Sequence, residues 1–243
     1  MKKSNRRLRP APPEMTDPRA MKLRRRLKRG APPTEAELRA FADDEAELID
    51  ALRAVLVSEW VLPDSEPLLE RAAKAMVLVS AERAAPLLTA LRVQADGGEA
   101  ADSALDEQIV ACGEHGREAV LRLLRERGDE LGVAQRLAVP LAVLHRERPD
   151  PRTLPCIFAL WERDARFGTL AALLSRDPVL VERAVSALLA VPISPETPDH
   201  QLIDLVQHVA FMRSIEAEVP AELALRAHIA EAVLSEREDG VEV

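Results

Sequence analysis

Short runs of apolar residues at helical spacing, separated by turn residues, fill the chain from residue 103 onward. This pattern predicts helices over 103–112, 117–127, 131–147, 151–163, 167–175, 178–190, 198–213 and 220–236. Three of these helices follow a capping side chain and a proline, at Asp150-Pro151, Asp177-Pro178 and Thr197-Pro198. A single helical hairpin cannot bury its apolar face alone, so the pattern predicts helices stacked against their neighbours.

The composition favours an all-α fold. Hydrophobic residues make up 47% of the 243 residues, mainly Ala, Leu and Val, whereas aromatic residues make up 2% and Tyr is absent. Ala, Leu, Arg and Glu lose little rotamer freedom in a helix, while sheets favour β-branched and aromatic residues.

Further helices are predicted before residue 103. Thr34 and Glu37 have the spacing of a capping box, so a first long helix starts there and ends near Trp60 to Pro63. Helices over 65–79 and 82–93 follow, and the Gly-containing segment 95–102 is a loop. We therefore divide the chain into a basic, Pro-rich, disordered arm (1–33), an N-terminal helical layer (34–95), helical repeats (103–236) and a disordered tail (237–243).

The run from Ala111 to Leu124 resembles the helix–turn–helix core of a HEAT-like repeat of the bilin-lyase type. It has a small-residue helix end, a Gly-containing turn and an Ala-Val-x-x-Leu-Leu helix. A second copy lies within 142–160, where residues 150–155 read Asp-Pro-Arg-Thr-Leu-Pro, close to the family's Asp-Pro-Arg-Ala-Leu-Pro. Cys112 and His115 depart from the family, which prefers Leu and a small aliphatic residue there.

The resemblance covers about 105–190 and implies a short HEAT-like α-solenoid or a stack of helical hairpins. A compact bundle of hairpins is the alternative. The repeat-like core positions are Val120, Leu123, Leu124, Leu154, Ile157, Phe158, Leu160, Val181, Val185, Leu188 and Leu189. Proteins with similar repeats mostly act as adaptors or scaffolds; some act on DNA, and bilin lyases pair the repeats with catalysis.

The charge is divided unequally along the chain. Residues 1–30 hold twelve Lys or Arg and two acidic residues, a net charge of +10, whereas residues 31–243 carry −18. A short arm and a body of opposite sign are typical of an interaction tail. Five lysines against 28 arginines indicate GC-rich coding, which favours a bacterial source.

The arm has two parts. Residues 1–14 are polar and Pro-rich, which predicts disorder. Residues 17–30 have the caps of a short helix, with Asp17 and Pro18 at its start and Gly30 at its end. Its candidate contacts with nucleic acid or another anion are Arg24, Arg25, Arg26, Lys28 and Arg29. An anionic membrane surface is a second reading, but a solvated tail that stays near the acidic body is favoured.

Motifs for catalysis and cofactor binding are missing from the sequence. It contains no G-x-S-x-G, no phosphate loop, no G-x-G-x-x-G and no C-x-x-C. Acidic clusters such as Asp43-Asp44-Glu45 and Glu216 with Glu218 are interpreted as solvated helix faces. We therefore predict no catalytic residue, no cofactor and no enzymatic activity.

Two groups of residues have the spacing of metal ligands. Cys112 and His115 supply only two ligands of the four that structural zinc needs. His200, Asp204 and His208 lie on one helix face, but i, i+4 and i+8 span about 12 Å, too far for one ion. We predict no metal site.

Trp161 lies near the end of a predicted repeat helix and is a candidate anchor for a partner, although a core position is favoured. Cys112 and Cys156 lie in apolar segments and are predicted to be reduced thiols. The sequence has no signal peptide and no apolar run of membrane-spanning length, so we expect a cytoplasmic protein.

These observations predict a non-enzymatic scaffold or adaptor whose acidic helical surface binds a protein partner, one of basic character. The first alternative is a nucleic-acid-associated protein that binds through the arm. The second is a subunit or accessory factor of an enzyme. The sequence predicts no particular oligomeric state.

Overall fold

Helices make up all regular structure in the residues that the computed structural model describes, which are 17–29, 33–41, 44–60, 66–94 and 99–239. The prediction of an all-α fold is therefore confirmed. The helices are α1 Pro18–Lys28, α2 Glu35–Arg39, α3 Glu45–Trp60, α4 Glu66–Val79, α5 Ala81–Gln94, α6 Glu99–Ala111, α7 Glu114–Arg127, α8 Leu131–Glu147, α9 Leu154–Arg163, α10 Ala165–Ser175, α11 Pro178–Leu189, α12 Asp199–Ser214 and α13 Ala221–Asp239.

Three predicted helix starts use the expected caps. The carboxylate of Asp17 accepts a hydrogen bond from the Arg19 amide at the start of α1. Thr34 and Glu37 form a complete capping box on α2. Asp177 caps α11, followed by Pro178. Each side chain satisfies an amide that the first helical turn leaves without a partner.

The predictions that helices start at Asp150-Pro151 and at Thr197-Pro198 were wrong. α9 begins at Leu154. The carboxylate of Asp150 accepts hydrogen bonds from the amide and the guanidinium of Arg152, and these bonds hold residues 151–153 in a turn before the helix. The Thr197 hydroxyl accepts from the Ser194 amide and donates to the Pro192 carbonyl. Thr197 therefore closes the turn before α12, and Pro198 occupies the N-cap position itself.

Three boundaries also differ from the prediction. The first long helix is two helices, α2 and α3, and the Asp44 side chain accepts from the Ala46 amide at the second start. α6 begins at Glu99, inside the predicted loop, and α13 continues to Asp239, inside the predicted tail. Residues 1–16 and 30–32 of the predicted arm and 240–243 of the tail lie outside the described residues.

The turn between α6 and α7 lies in the run that resembles a repeat. Gly113 has a φ of 58°, a left-handed conformation in which a side chain would be strained. Its amide donates to the Val110 carbonyl at 2.8 Å, which closes the end of α6. The sequence therefore located this helix–turn–helix correctly.

The chain divides into two compact units, residues 1–144 and 145–243. In the first unit α4 lies at the centre and packs on α1, α2, α3, α5 and α6, while α5 also packs on α3, α6 and α7. In the second unit α9 packs on α10, α10 on α11 and α12, and α13 on α11 and α12. The division falls near the end of α8, after Leu144.

Leu and Ala supply most of the core, and several predicted core positions are buried. Val120, Ile157, Leu160 and Leu188 are buried as expected. Another seven are half-buried: Leu123, Leu124, Leu154, Phe158, Val181, Val185 and Leu189. They face the margins of the helix contacts, because each helix packs on neighbours over only part of its circumference.

Candidate functional surfaces

Helix α1, the second part of the predicted arm, is packed against α3 and α4. Its Ala20, Leu23 and Leu27 are fully buried. The spacing of three and four residues places them on one side of the helix, which is the side that faces the unit. Residues 17–29 are thus an ordered part of the first unit.

Carboxylates of the same unit pair with the basic residues beside that buried side. Arg24 pairs with Glu59, which is only 2% exposed, and Arg26 bonds Glu37 at 2.8 Å. The hydrogen bond from Arg26 lowers the pKa of the Glu37 carboxyl below its ordinary value. Two of the five predicted anion contacts therefore engage the body of this chain.

The remaining three predicted contacts are exposed. Arg25, Lys28 and Arg29, together with Lys22, lie on the side of α1 that faces away from α3 and α4. The ammonium of Lys22 lies 5.7 Å from the centre of the Phe41 ring. We call Lys22, Arg25, Lys28 and Arg29 the outer basic stripe. Sequence spacing alone did not separate it from the inward-facing arginines, because that assignment depends on which side α1 buries.

Arginines from distant positions bond the carbonyls at helix C-termini. Arg71 donates to the Leu27 carbonyl at 2.9 Å and Arg117 to the Leu144 carbonyl at 2.8 Å. Carbonyls in the last helical turn have no intrahelical partner and carry the negative end of the helix dipole. A guanidinium therefore stabilises them both through its hydrogen bond and through its positive charge. Arg136 likewise bonds the Val93 carbonyl in the last turn of α5. Arg176 bonds the carbonyl of Ile215, the C-cap residue of α12, and Arg226 bonds that of Val191, just past the end of α11.

A buried ion pair joins α5 to α6. Arg92 donates to both carboxylate oxygens of Asp106 at 2.8 and 3.3 Å, and Asp102 lies 3.3 Å from the same guanidinium. Burial raises the pKa of Asp106 to about 6, and the neighbouring Asp102 adds to that, although Arg92 opposes it. Burial outweighs the pairing with Arg92, so the pKa of Asp106 lies above its ordinary value.

A buried histidine cluster joins α8, the turn 150–153 and α11. His145, 2% exposed, contacts the Thr153 hydroxyl through Nδ1, and its Nε2 lies 3.5 Å from the Asp177 carboxylate. A hydroxyl, an imidazole and a carboxylate in this order occur in hydrolases. Here Thr153 is fully buried and its hydroxyl donates to the Asp150 carbonyl, and Asp177 caps α11. The cluster therefore holds these elements together, and no sequence pattern indicated it.

Trp161 lies in the core of the second unit, with 9% of its surface exposed. Gly168 of α10 approaches it so closely that a Cβ atom there would lie 2.4 Å from the Trp161 Cα. The Arg183 guanidinium lies 5.3 Å from the Trp161 ring and 4.9 Å from the Phe158 ring. These contacts leave little of the indole for a partner.

The predicted metal-ligand pairs are not assembled into larger sets. Cys112 is buried, and burial raises the pKa of its thiol to about 12, whereas His115 is exposed. His208 contacts the carbonyls of Asp204 and Arg166, and His200 is exposed. Within the described ranges, no three His, Cys, Asp or Glu side chains are placed to hold a metal ion. Cys112 and Cys156 are not joined in a disulfide.

The outward face of α13 combines apolar and acidic residues. Leu225 and Ile229 are 59% and 43% exposed. With Ala232 they follow the alternating three- and four-residue spacing of a helix–helix seam, and Glu222 and Glu236 lie at its two ends. We call these five residues the α13 seam.

In comparisons with known proteins, no protein-family model, no curated protein and no solved structure matches the chain. Among the helices described above, none combines the length and the hydropathy that crossing a membrane requires.

Proposed function

We propose that this chain is a non-enzymatic scaffold or adaptor that binds a basic protein partner through its acidic helical surface. The observation that carries the proposal is the use of the arginines. Five bond main-chain carbonyls at or just past the ends of helices, and Arg24, Arg26 and Arg92 pair with carboxylates inside the first unit. Part of the basic charge is thus paired within the protein, and many of the 41 acidic residues are left exposed to attract a basic partner.

We further propose that the helices form a HEAT-like stack of hairpins. In such a stack each helix contacts its hairpin partner and the equivalent helix of the next hairpin. The contacts of α3 with α5, α4 with α6 and α5 with α7 support this order in the first unit. Those of α10 with α12 and α11 with α13 support it in the second. Cys112 and Cys156 are not joined in a disulfide, which suits a reducing compartment and supports a cytoplasmic location.

The test is affinity capture with the full chain from nuclease-treated lysate, followed by reconstitution with the purified partner. We expect to capture a partner with a basic surface, whose affinity for this chain falls as the salt concentration is raised. A variant in which exposed acidic residues are replaced by their amides should lose affinity. A partner that binds equally at low and high salt, or no partner at all, would contradict the proposal.

The outer basic stripe favours a second candidate function, binding of nucleic acid. Its four cations lie along one side of a helix of which the other side is already buried, so the stripe is fixed in place. Lys and Arg arranged in this way neutralise phosphates and release counterions. This interaction has no sequence preference and is sensitive to salt.

The measurement is anisotropy of labelled duplex DNA against salt concentration. Replacing Lys22, Arg25, Lys28 and Arg29 by Gln should reduce the slope of log K against log salt by about 3 to 4. The matched control replaces four exposed arginines on other helices, Arg53, Arg122, Arg146 and Arg213, and removes the same charge. If both variants lose the same amount of slope, the effect depends on net charge alone, and a specific role for the stripe is contradicted.

A further inference from the structure

We propose that the α13 seam is a docking surface for a basic amphipathic helix of a partner protein. This inference rests on the proposed scaffold function and assigns one of its binding surfaces. Leu225 and Ile229 are two of the six large apolar side chains that are clearly exposed in the described residues, and they stand one helical turn apart. With Ala232 they form a short apolar row that a second helix can cover.

The spacing of the seam selects a helix as the occupant. Positions 222, 225, 229, 232 and 236 alternate by three and four residues, which keeps them on one side of α13 over about four turns. Leu and Ile at such positions accept side chains of a facing helix between them, whereas a small ligand would leave most of the row exposed.

The charges select a basic occupant. α13 holds only two arginines among its described side chains, and both point inward: Arg226 bonds the Val191 carbonyl, and Arg237 bonds the Thr197 carbonyl at 2.9 Å. Among the described side chains of α13, the exposed ionisable groups are therefore Glu222, Glu231 and Glu236, with His228 beside Glu231. A helix with Lys or Arg beside its apolar row complements this pattern.

The same charges disfavour a second copy of this chain. Two α13 helices packed antiparallel about Ile229 would place Glu222 of each against Glu236 of the other. Like charges at both ends of the contact would oppose the burial of so short an apolar row.

The test measures binding of synthetic peptides of about 18 residues to the full chain. One peptide carries Leu at the seam positions and Lys beside them, the second has Glu in place of Lys, and the third is a scrambled form of the first. We expect the Lys peptide to bind at least about tenfold more tightly than the other two. Replacing Leu225 and Ile229 by Ser should weaken it at least about tenfold.

Two control variants make the result specific. Val179, 67% exposed on α11, is a matched apolar surface residue, and V179S should bind the Lys peptide as the parent does. A charge reversal, E222K with E236K, should invert the preference, so that the Glu peptide binds more tightly. All of these positions are exposed, so unfolding midpoints should stay unchanged and exclude misfolding.

Several outcomes overturn the proposal. They are equal binding to the parent and the Leu225/Ile229 variant, a lack of binding by the parent, and self-association that the same variant abolishes. The last outcome would assign the seam to a second copy. The two proposals also separate: if the Leu225/Ile229 variant still binds the partner captured from lysate, this surface is wrong and the scaffold function stands.

Discussion

Gly168 is the residue on which the close contact between α9 and α10 depends. The space where its Cβ would lie is occupied by Trp161 main-chain and side-chain atoms, at 2.4 to 2.8 Å. A main-chain atom in a packed helix cannot move aside as a flexible side chain can. The small residue therefore sets how closely the two helices approach, and it buries Trp161 as a result.

We expect G168A to lower the free energy of unfolding by about 2 to 3 kcal/mol, because the added methyl group overpacks this contact. The measurement is urea unfolding followed by circular dichroism. Gly132 provides the control: it lies in the first turn of α8 with no neighbour within 4 Å of a Cβ. G132A should stabilise by about 0.5 kcal/mol through helix propensity. Destabilisation by both substitutions would contradict the packing argument.

Asp106 predicts a pH dependence of stability. Its pKa in the folded chain, about 6, is above the ordinary 3.8, so the folded state binds a proton that the unfolded state has released. The stabilisation from protonation is fully present below about pH 3.8 and is lost as pH rises through about 6. It amounts to at most about 3 kcal/mol.

Replacing Asp106 by Asn should remove this term. The loss of stability on going from the parent to D106N should therefore be larger at pH 4 than at pH 7. Urea unfolding of both proteins across that pH range measures it. The exposed Asp50 of α3 supplies the control, and D50N should follow the parent curve in parallel. A parallel curve for D106N would mean that the pKa of Asp106 is the same in the folded and the unfolded chain.

At the scale of single helices, α1 is held by few contacts. Three small or medium apolar side chains are buried, and the attachment is completed by polar contacts that include ion pairs, the Lys22 ammonium beside the Phe41 ring and the bond from Arg71 to the Leu27 carbonyl. A helix of eleven residues has little stability of its own. Its order therefore depends on burial of Leu23 and Leu27.

We expect L23S to release α1 while the other helices stay folded. Amide exchange over residues 18–28 should then approach that of an unstructured chain, and trypsin should cut at Arg24 to Arg26. The control is M21S, since Met21 is 38% exposed on the opposite side. If L23S leaves exchange in α1 unchanged, the ion pairs alone hold the helix.

The sequence predicted the helices well because their signals are local. Capping residues such as Asp17 and Asp177 and the apolar periodicity act within a few residues. Asp150 and Thr197 misled the prediction because each has the residue type of a cap but bonds within its own turn. The inward pairs of Arg24 and Arg26 depend on α1 docking, which no short-range pattern encodes. The same is true of the His145 cluster and the arginines at helix C-termini.

At the scale of the whole molecule, the chain has two compact units. We expect a destabilising substitution in one unit to speed hydrogen exchange mainly in that unit. Regions that share most of their contacts open together, and regions that share few open apart. Leu52 is fully buried in α3 of the first unit, and Gly168 lies in the second. L52A should cost about 3 kcal/mol through the cavity it leaves.

Site-resolved hydrogen exchange is the measurement. L52A should speed exchange of the most protected amides in residues 17–144, and G168A should do so in 145–239. The end of α8, where the division falls, should respond to both variants. Equal acceleration in both units by either variant would mean that the chain opens as one cooperative body.

The arginine bonds to helix C-termini have a consequence for how the chain tolerates variation. A planar guanidinium reaches a main-chain carbonyl through fixed, directional donors, which the rounder ammonium of lysine does not reproduce. In a deep mutational scan for stability, substitution by lysine should therefore be as damaging as substitution of a buried leucine at five positions: Arg71, Arg117, Arg136, Arg176 and Arg226. The exposed Arg53 and Arg122 should accept most residues. Tolerance to substitution would then be limited partly by arginines whose role is to hold helix ends in place.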